Sequence, residues 1–253
     1  MQAKNNIEYQ RTLPDNSLSD FVKCFWHLTN YTAEEKIVSI LPDGYFDILF
    51  FSINNAPFIF SLSGLGTKPI EYIIPKNATT FAISFKLLAA EYILNTNISS
   101  LVNKGKYLPN NFWDFEPSDL LDFNSFVSKA SKKMLEIRSK NIDQRKQHLF
   151  DILYISNGAL TVEEISDTVH WSRRQINRYF KNRFGVSLKA YCTILRYRAS
   201  FEHIKDGQLY PEEKYADQAH FIKEVKKYSG VTPKQLAANK NDRFIQFSTL
   251  PKK

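Results

Sequence analysis

The stretch from Thr161 to Gly185 constrains the fold more than any other part of this chain, because its pattern predicts two short helices joined by a tight turn. Thr161 and Glu164 have the spacing of a capping box, in which two side chains bond the free N–H groups at the start of a helix. Ser172 and Gln175 repeat that spacing eleven residues later. Apolar residues recur at helical steps in both segments: Val162, Ile165, Val169, Ile176, Phe180 and Phe184.

The second predicted helix carries long polar side chains on the face opposite its apolar residues. These side chains are Arg173, Arg174, Asn177, Arg178 and Lys181. A short helix of this kind fits the major groove of DNA, where Arg can pair with guanine and Asn with adenine. The stretch is therefore typical of a helix-turn-helix.

The net charge is distributed unevenly between the two halves of the chain. Residues 145–253 hold 20 Lys and Arg against 11 Asp and Glu, whereas residues 1–144 hold 14 against 15. A basic half beside a neutral half is typical of a module that binds a polyanion, and its affinity should fall steeply with salt. A solvated basic surface without a partner is the alternative that charge alone leaves open.

The N-terminal half reads as a set of short strands. Runs rich in β-branched and aromatic residues cover 37–41, 46–52, 58–62, 72–74 and 80–85, and Pro42-Asp43-Gly44 marks a turn between the first two. Five or more such strands predict a small sandwich or a cupin-like barrel. With a C-terminal all-α half, the fold class is α+β, divided into a β-rich domain at 1–140, a helical domain at 145–240 and a tail at 241–253.

A helix is predicted after Pro117, where apolar residues recur at steps of three and four: Leu120, Phe123, Val127, Ala130, Met134 and Ile137. One interpretation is that this helix covers the β-rich domain. The other is a dimer seam, because the last five of these residues also follow a 4-3-4-3 spacing. Residues 138–144 are polar and form the predicted linker. In the C-terminal half, further helices are expected over 145–156, 188–205 and from Asp217.

The two basic helices of the C-terminal half end alike. RYFKNRFGVS at 178–187 parallels KEVKKYSGVT at 223–232, and their glycines lie 45 residues apart, which suggests two copies of one unit. With these copies, Arg196 after Leu195, DQAHF at 217–221 and GVTP at 230–233, the chain resembles the AraC/XylS family of bacterial transcription regulators. ILPDGYFDILF at 40–50 is similar to the β-rich N-terminal domain of one AraC-like branch.

The resemblance implies a seven-helix DNA-binding domain with two helix-turn-helix units, attached to an N-terminal domain that senses or dimerises. The chain departs from the family at Leu188, where the family often has Pro, and at Pro211, Glu212 and Glu213, which stand where the family has an apolar helix. Because proline is not tolerated inside a helix, the second unit is expected to be incomplete.

The same resemblance assigns roles to the polar residues. Arg174, Asn177 and Arg178 would read bases, and Arg173 and Lys181 would complete the DNA-binding face. Gln218 and Lys223 are the corresponding residues of the second unit, which we expect to anchor rather than to specify. Contacts to phosphate alone are the alternative for each arginine.

The expected partners are double-stranded DNA, a small-molecule effector and RNA polymerase, for a monomer or a homodimer. Trp26, Phe46 and Phe85 are candidates for an aromatic effector pocket, or are plain core. The N-terminus has no apolar signal segment, and no apolar run of the sequence is long enough to span a bilayer. We therefore expect a cytoplasmic, nucleoid-associated protein that does not bind a membrane.

An enzyme is the main alternative, in the form of a cupin-type metal-dependent enzyme fused to a nucleic-acid-binding module. Such a metal site usually needs several His and carboxylate ligands, yet His27 is the only histidine before residue 145. No phosphate-binding glycine motif occurs, and the two cysteines lie in different halves. We therefore expect no cofactor, no metal and no catalytic residues.

Overall fold

The computed structural model describes residues 7–211 and 214–250. Strands form the N-terminal half and helices form the C-terminal half, which confirms the predicted α+β class. The main hydrophobic cluster runs through both halves, so the two are packed together rather than joined by a linker alone.

The strands form two antiparallel sheets, one of six strands in the order β1-β2-β7-β4-β5-β8 and one of two, β3-β6. Their bounds are β1 (Ile7–Thr12), β2 (Val22–Asn30), β3 (Lys36–Ile40), β4 (Phe46–Ile53), β5 (Ile59–Ser63), β6 (Ile70–Ile74), β7 (Ala78–Phe85) and β8 (Gly105–Tyr107). The five predicted runs correspond to β3 through β7. Short 3-10 helices cover Asn16–Leu18, Ser99–Leu101, Phe112–Asp114, Pro117–Leu120 and Lys240–Asp242.

The register of the large sheet separates the three aromatic residues expected to line an effector pocket. Phe46 pairs with Phe85, and both side chains are fully buried with their rings stacked at 5.3 Å. Trp26 pairs with Ala82, which is three residues from Phe85 along β7. Because side chains alternate along a strand, Trp26 lies on the opposite face of the sheet. The three side chains therefore do not line one pocket: Phe46 and Phe85 are plain core, the alternative that the sequence left open, and Trp26 lies on the other face.

Two helices pack beside the large sheet, α1 (Leu88–Tyr92) and α2 (Phe123–Ile137). The Phe126 ring of α2 contacts the rings of Phe25, Phe50 and Phe81. Ala130 and Met134 are fully buried within the chain itself. The prediction that this helix covers the β-rich domain is confirmed. The dimer-seam interpretation is wrong, because residues it needs are already occupied by the sheet.

The C-terminal half contains eight helices within the described residues: α3 (Gln144–Ile155), α4 (Val162–Val169), α5 (Arg173–Phe184), α6 (Leu188–Ala199), α7 (Phe201–Lys205), α8 (Gln218–Ser229), α9 (Pro233–Ala238) and α10 (Ile245–Thr249). The single helix expected over 188–205 is interrupted at Ser200. The Ser200 hydroxyl donates to Arg196 O at 3.0 Å, and its N–H is shared between Arg196 O and Tyr197 O. Such back-bonding by serine bends a helix.

The helix that should precede α8 in a second helix-turn-helix is not formed over residues 206–211 and 214–217. Pro211 lies there, as the sequence suggested, whereas Glu212 and Glu213 lie outside the described residues. The chain then returns to the N-terminal half. Gln246 of α10 exchanges two hydrogen bonds with the backbone of Leu41, at 3.1 and 2.9 Å.

Candidate nucleic-acid interface

Both predicted capping boxes are present in the helix-turn-helix. The Thr161 hydroxyl accepts from Glu164 N at 3.2 Å, and the Glu164 carboxylate accepts from Thr161 N at 2.7 Å. Ser172 and Gln175 make the same reciprocal pair at 3.3 and 3.2 Å. These bonds satisfy N–H groups that helix geometry leaves free, so they define where α4 and α5 begin.

The inward side of α5 fixes the orientation of the helix. Ile176, Phe180 and Phe184 are fully buried, and the Phe180 ring contacts the rings of Phe150 and Tyr191. Because three residues spaced by four are held in the core, the opposite side of α5 must face outward. The sequence predicted this stripe correctly.

The outward side of α5 carries four exposed cationic side chains, those of Arg173, Arg174, Arg178 and Lys181. Arg173 lies 3.5 Å from a Glu163 carboxylate oxygen, an exposed pair that water screens. The side chains of Arg174, Arg178 and Lys181 make no hydrogen bond or ion pair with any residue in 7–211 or 214–250. Their donors are therefore available to a ligand from outside.

Asn177 differs from its neighbours, because both ends of its amide are bonded within the protein. Its Nδ2 donates to Arg173 O at 3.1 Å, and its Oδ1 accepts from Leu188 N at 3.2 Å, at the start of α6. A bidentate contact to adenine needs the same two groups. These bonds join α5 to α6 through Asn177, so we expect Asn177 to hold the two helices together rather than to read a base.

The Gln218 side chain also bonds within the protein. Its Nε2 donates to Leu209 O at 2.7 Å and the side chain is half-buried, so we expect it to contribute less to DNA binding than an exposed side chain would. Lys223 is exposed one turn further along α8, where Phe221 and Val225 form the buried side. The outward face of α8 therefore offers lysines but no arginine or free amide at its first turn.

The C-terminal end of α5 is held by the N-terminal half, a contact that nothing in the sequence pattern indicated. Asn97 Nδ2 donates to Asn182 O at 2.7 Å, and Ile98 N donates to Arg183 O at 3.1 Å. Arg183 in turn donates to Thr96 O at 3.3 Å. These bonds satisfy carbonyl groups that the last turn of a helix leaves free. They leave the outward side of α5 uncovered.

A half-buried carboxylate of α1, that of Glu91, strengthens this contact. Glu91 Oε1 lies 2.5 Å from Lys146 Nζ of α3, and Glu91 Oε2 accepts from the Tyr179 hydroxyl of α5 at 3.0 Å. Burial, and then the negative charge of Glu91, raise the pKa of Tyr179 well above its usual value. The phenol therefore stays protonated and donates to Glu91 throughout the physiological range.

No group of three or more His, Cys, Asp or Glu side chains in 7–211 and 214–250 is arranged to hold a metal ion. Within the same ranges, none of the helices has the length and apolar composition needed to cross a membrane.

Comparison with known proteins supports the family resemblance. A family model described as "Domain of unknown function (DUF6597)" matches residues 10–105. The uncharacterized HTH-type transcriptional regulator YtdP of Bacillus subtilis is 24% identical over 127 residues, which is 47% of this chain and only 16% of that protein. The resemblance to helix-turn-helix regulators of the AraC type is thereby confirmed.

Solved structures of ToxT from Vibrio cholerae also align with the chain. The complex with (E)-4-(8-methylnaphthalen-1-yl)but-3-enoic acid is 10% identical, covers 92% of this chain and 98% of its own, and has a TM-score of 0.47. The unsaturated fatty acid-bound form is 10% identical, covers 94% and 97%, and has a TM-score of 0.45. Likeness at this level is too weak to transfer any property of ToxT to this chain.

Proposed function

We propose that this chain is a sequence-specific DNA-binding transcription regulator of the AraC type. The observation that carries the proposal is the outward side of α5, which is capped at its start. There the Arg174 and Arg178 side chains are exposed and make no hydrogen bond or ion pair to the described residues. Two guanidinium groups one turn apart can each donate to the O6 and N7 atoms of a guanine. Arg173 and Lys181 flank them and would contact phosphates.

The two DNA-facing helices are proposed to act differently. The helix α5 would specify the sequence, because it holds the free arginines. The helix α8 would anchor the protein through Lys223 and Lys226, since its amide at Gln218 is bonded to Leu209 and Ala219 offers only a methyl group. Lysine contacts to phosphate add affinity without sequence information.

Regulation is proposed to pass through the N-terminal half. Because Glu91, Thr96, Asn97 and Ile98 all contact α3 or α5, a small-molecule effector or a partner that shifts the N-terminal half would change how α5 is held. Such a molecule acts by favouring one arrangement of the two halves over another. RNA polymerase is a further proposed partner.

Selection of DNA from a random library tests the proposal. The purified full-length chain should enrich fragments that share a short motif, and affinity for that motif should fall steeply as salt rises. Enrichment of no common sequence, with equal affinity for every fragment, would leave only a non-specific polyanion binder.

A further inference from the structure

A cleft of about 780 Å³ opens on the sheet face that α2 covers, just beyond the start of α2. Its floor is formed by β2, β4 and β7, one wall by residues 55–60, and the other wall by residues 110–122. Sites for drug-sized ligands are typically about 300–1,000 Å³ and mostly apolar, with a few polar groups that fix orientation. Volume alone therefore allows a small molecule.

The floor of the cleft changes from apolar to polar along each strand. On the same face, β7 runs from Phe85 through Ile83 and Phe81 to Thr79, and β2 runs from Phe25 through His27 to Thr29. Thr29 Oγ1 lies 2.9 Å from His27 Nε2 and 3.5 Å from Thr79 Oγ1. These groups form a small uncharged network, because burial lowers the pKa of His27.

The walls of the cleft are aromatic. Phe58, Phe60 and Phe115 line it, and the His27 ring stacks on Phe81 with centroids 4.4 Å apart. Faces and edges of aromatic rings pack best against another flat ring system. The rim adds exposed apolar surface, since Leu121 is 80% exposed.

The charge of the lining is negative. Among the described residues that line the cleft there is no Lys or Arg, whereas Glu116 and Asp122 both belong to its 110–122 wall. A carboxylate or phosphate ligand would therefore meet only like charge there. A cation would gain from both carboxylates and from the electron-rich faces of the rings.

We propose that this cleft binds a planar aromatic small molecule that is neutral or positively charged. If the chain is a transcription regulator, as proposed above, this molecule is its effector; only that part of the proposal rests on the proposed function. Binding itself is a property of the N-terminal half. The wall at 110–122 leads directly into α2, and residues 138–143 connect α2 to α3. A ligand bound against this wall would therefore contact a segment that continues along the chain into the helical half.

Three matched indoles test the ligand class by calorimetry on the full-length chain. Tryptamine is cationic, tryptophol is neutral and indole-3-propionic acid is anionic, and all carry the same ring. We expect saturable binding of the first two, with the acid weaker than tryptamine by at least about tenfold. Equal or tighter binding of the acid, or no saturable binding of any of the three, would overturn the proposal.

Two variants locate the site. Thr79→Tyr places a ring in the floor and should abolish tryptamine binding. Glu116→Lys leaves one positive and one negative group at the wall and should remove the preference for tryptamine over the acid. Glu136→Lys, an exposed position in the last turn of α2, is the control and should leave the preference unchanged. If Thr79→Tyr does not fold, an unchanged preference in Glu116→Lys still overturns the proposal.

The DNA selection is run separately on the same protein, so the two proposals can fail independently. A chain that enriches a DNA motif but binds none of the indoles retains its proposed function and loses this site. A chain that binds tryptamine at Thr79 and Glu116 but enriches no motif retains the site and loses the regulator function.

Discussion

Glu91 of α1 and Tyr179 of α5 are joined across the two halves of the chain by a hydrogen bond of 3.0 Å. The second oxygen of the same carboxylate lies 2.5 Å from Lys146 Nζ, and the Glu91 and Lys146 side chains are each only 18% exposed. One side chain of the β-rich half thus holds two helices of the DNA-binding half. A displacement of α1 would reach the helix that carries Arg174 and Arg178 without any intermediate element.

Glu91→Gln is expected to destabilise the protein. The substitution removes the carboxylate that bonds the mostly buried Lys146 ammonium group, and breaking a fully buried pair costs about 3–5 kcal/mol. Because both groups retain some contact with water, we expect roughly 1–3 kcal/mol. Urea unfolding monitored by tryptophan fluorescence measures the loss. Glu136→Gln, at an exposed position, is the control, and equal stability of the two variants would contradict the role given to Glu91.

Gly185→Ala is expected to release the end of α5 from the N-terminal half. Gly185 has φ +78°, and an added Cβ would lie 2.5 Å from both Ser99 O and Val102 Cγ2. Gly207 has φ +81° with no atom within 4 Å of such a Cβ, so Gly207→Ala measures the backbone strain alone, about 1–2 kcal/mol. The difference between the variants in thermal unfolding should be roughly 1–3 kcal/mol, from overpacking. Equal losses would mean that the contact at Ser99 is loose.

The helix-turn-helix was predictable because its signals are local. Caps such as Ser172 with Gln175, and the buried stripe at Ile176 and Phe180, depend only on spacing along one helix. The fate of Asn177 was not predictable in the same way, because its amide bonds a backbone group eleven residues further on, at Leu188. The Gln218 bond to Leu209 is likewise a product of how the loop packs.

In the β-rich half, too, the elements were predictable from local patterns, whereas the contacts between them were not. Its strands follow from runs of β-branched and aromatic residues, but register decides which residues share a face. Trp26 and Phe85 are both aromatic and both within strands, yet Trp26 pairs with Ala82, an odd number of residues from Phe85, so the two side chains lie on opposite faces of the sheet. The docking of residues 96–98 on α5 has no signal at all, since these residues read as an ordinary polar loop.

Asn177→Ala is expected to lower stability without changing the DNA motif. The substitution leaves Leu188 N without the Asn177 oxygen, and the loss of one such hydrogen bond costs about 0.5–1.5 kcal/mol. Urea unfolding measures the first effect, and selection from the random library measures the second. A changed DNA motif with unchanged stability would contradict this prediction and would mean that Asn177 contacts bases.

Stability is expected to fall as pH rises from about 5 to 7 because of Asp47. Burial, and then the nearby Asp43 carboxylate, raise the pKa of Asp47 from its usual 3.8 to about 7. The folded protein therefore keeps a proton that the unfolded chain has released, and each pH unit in this window lowers stability by at most about 1.4 kcal/mol. Urea midpoints at pH 5, 6, 7 and 8 measure the slope.

Asp47→Asn is the matched variant for that experiment. The amide can still accept the hydrogen bond that the Ser84 hydroxyl donates to Asp47, but it does not titrate. Its profile should be flatter than that of the unmodified chain, and the variant should be the more stable of the two at pH 8. Parallel profiles would show that Asp47 is not the group responsible.

The most direct measurement is the ratio of affinities for the selected DNA motif and for a shuffled sequence, at one fixed salt concentration. Arg174→Ala should reduce this ratio by about 5- to 150-fold, since one good bidentate base contact contributes about 1–3 kcal/mol of discrimination. Gln218→Ala should leave the ratio within about twofold, because that side chain bonds Leu209. A ratio near one for the unmodified chain, or an equal reduction by both substitutions, would contradict a reading role for α5.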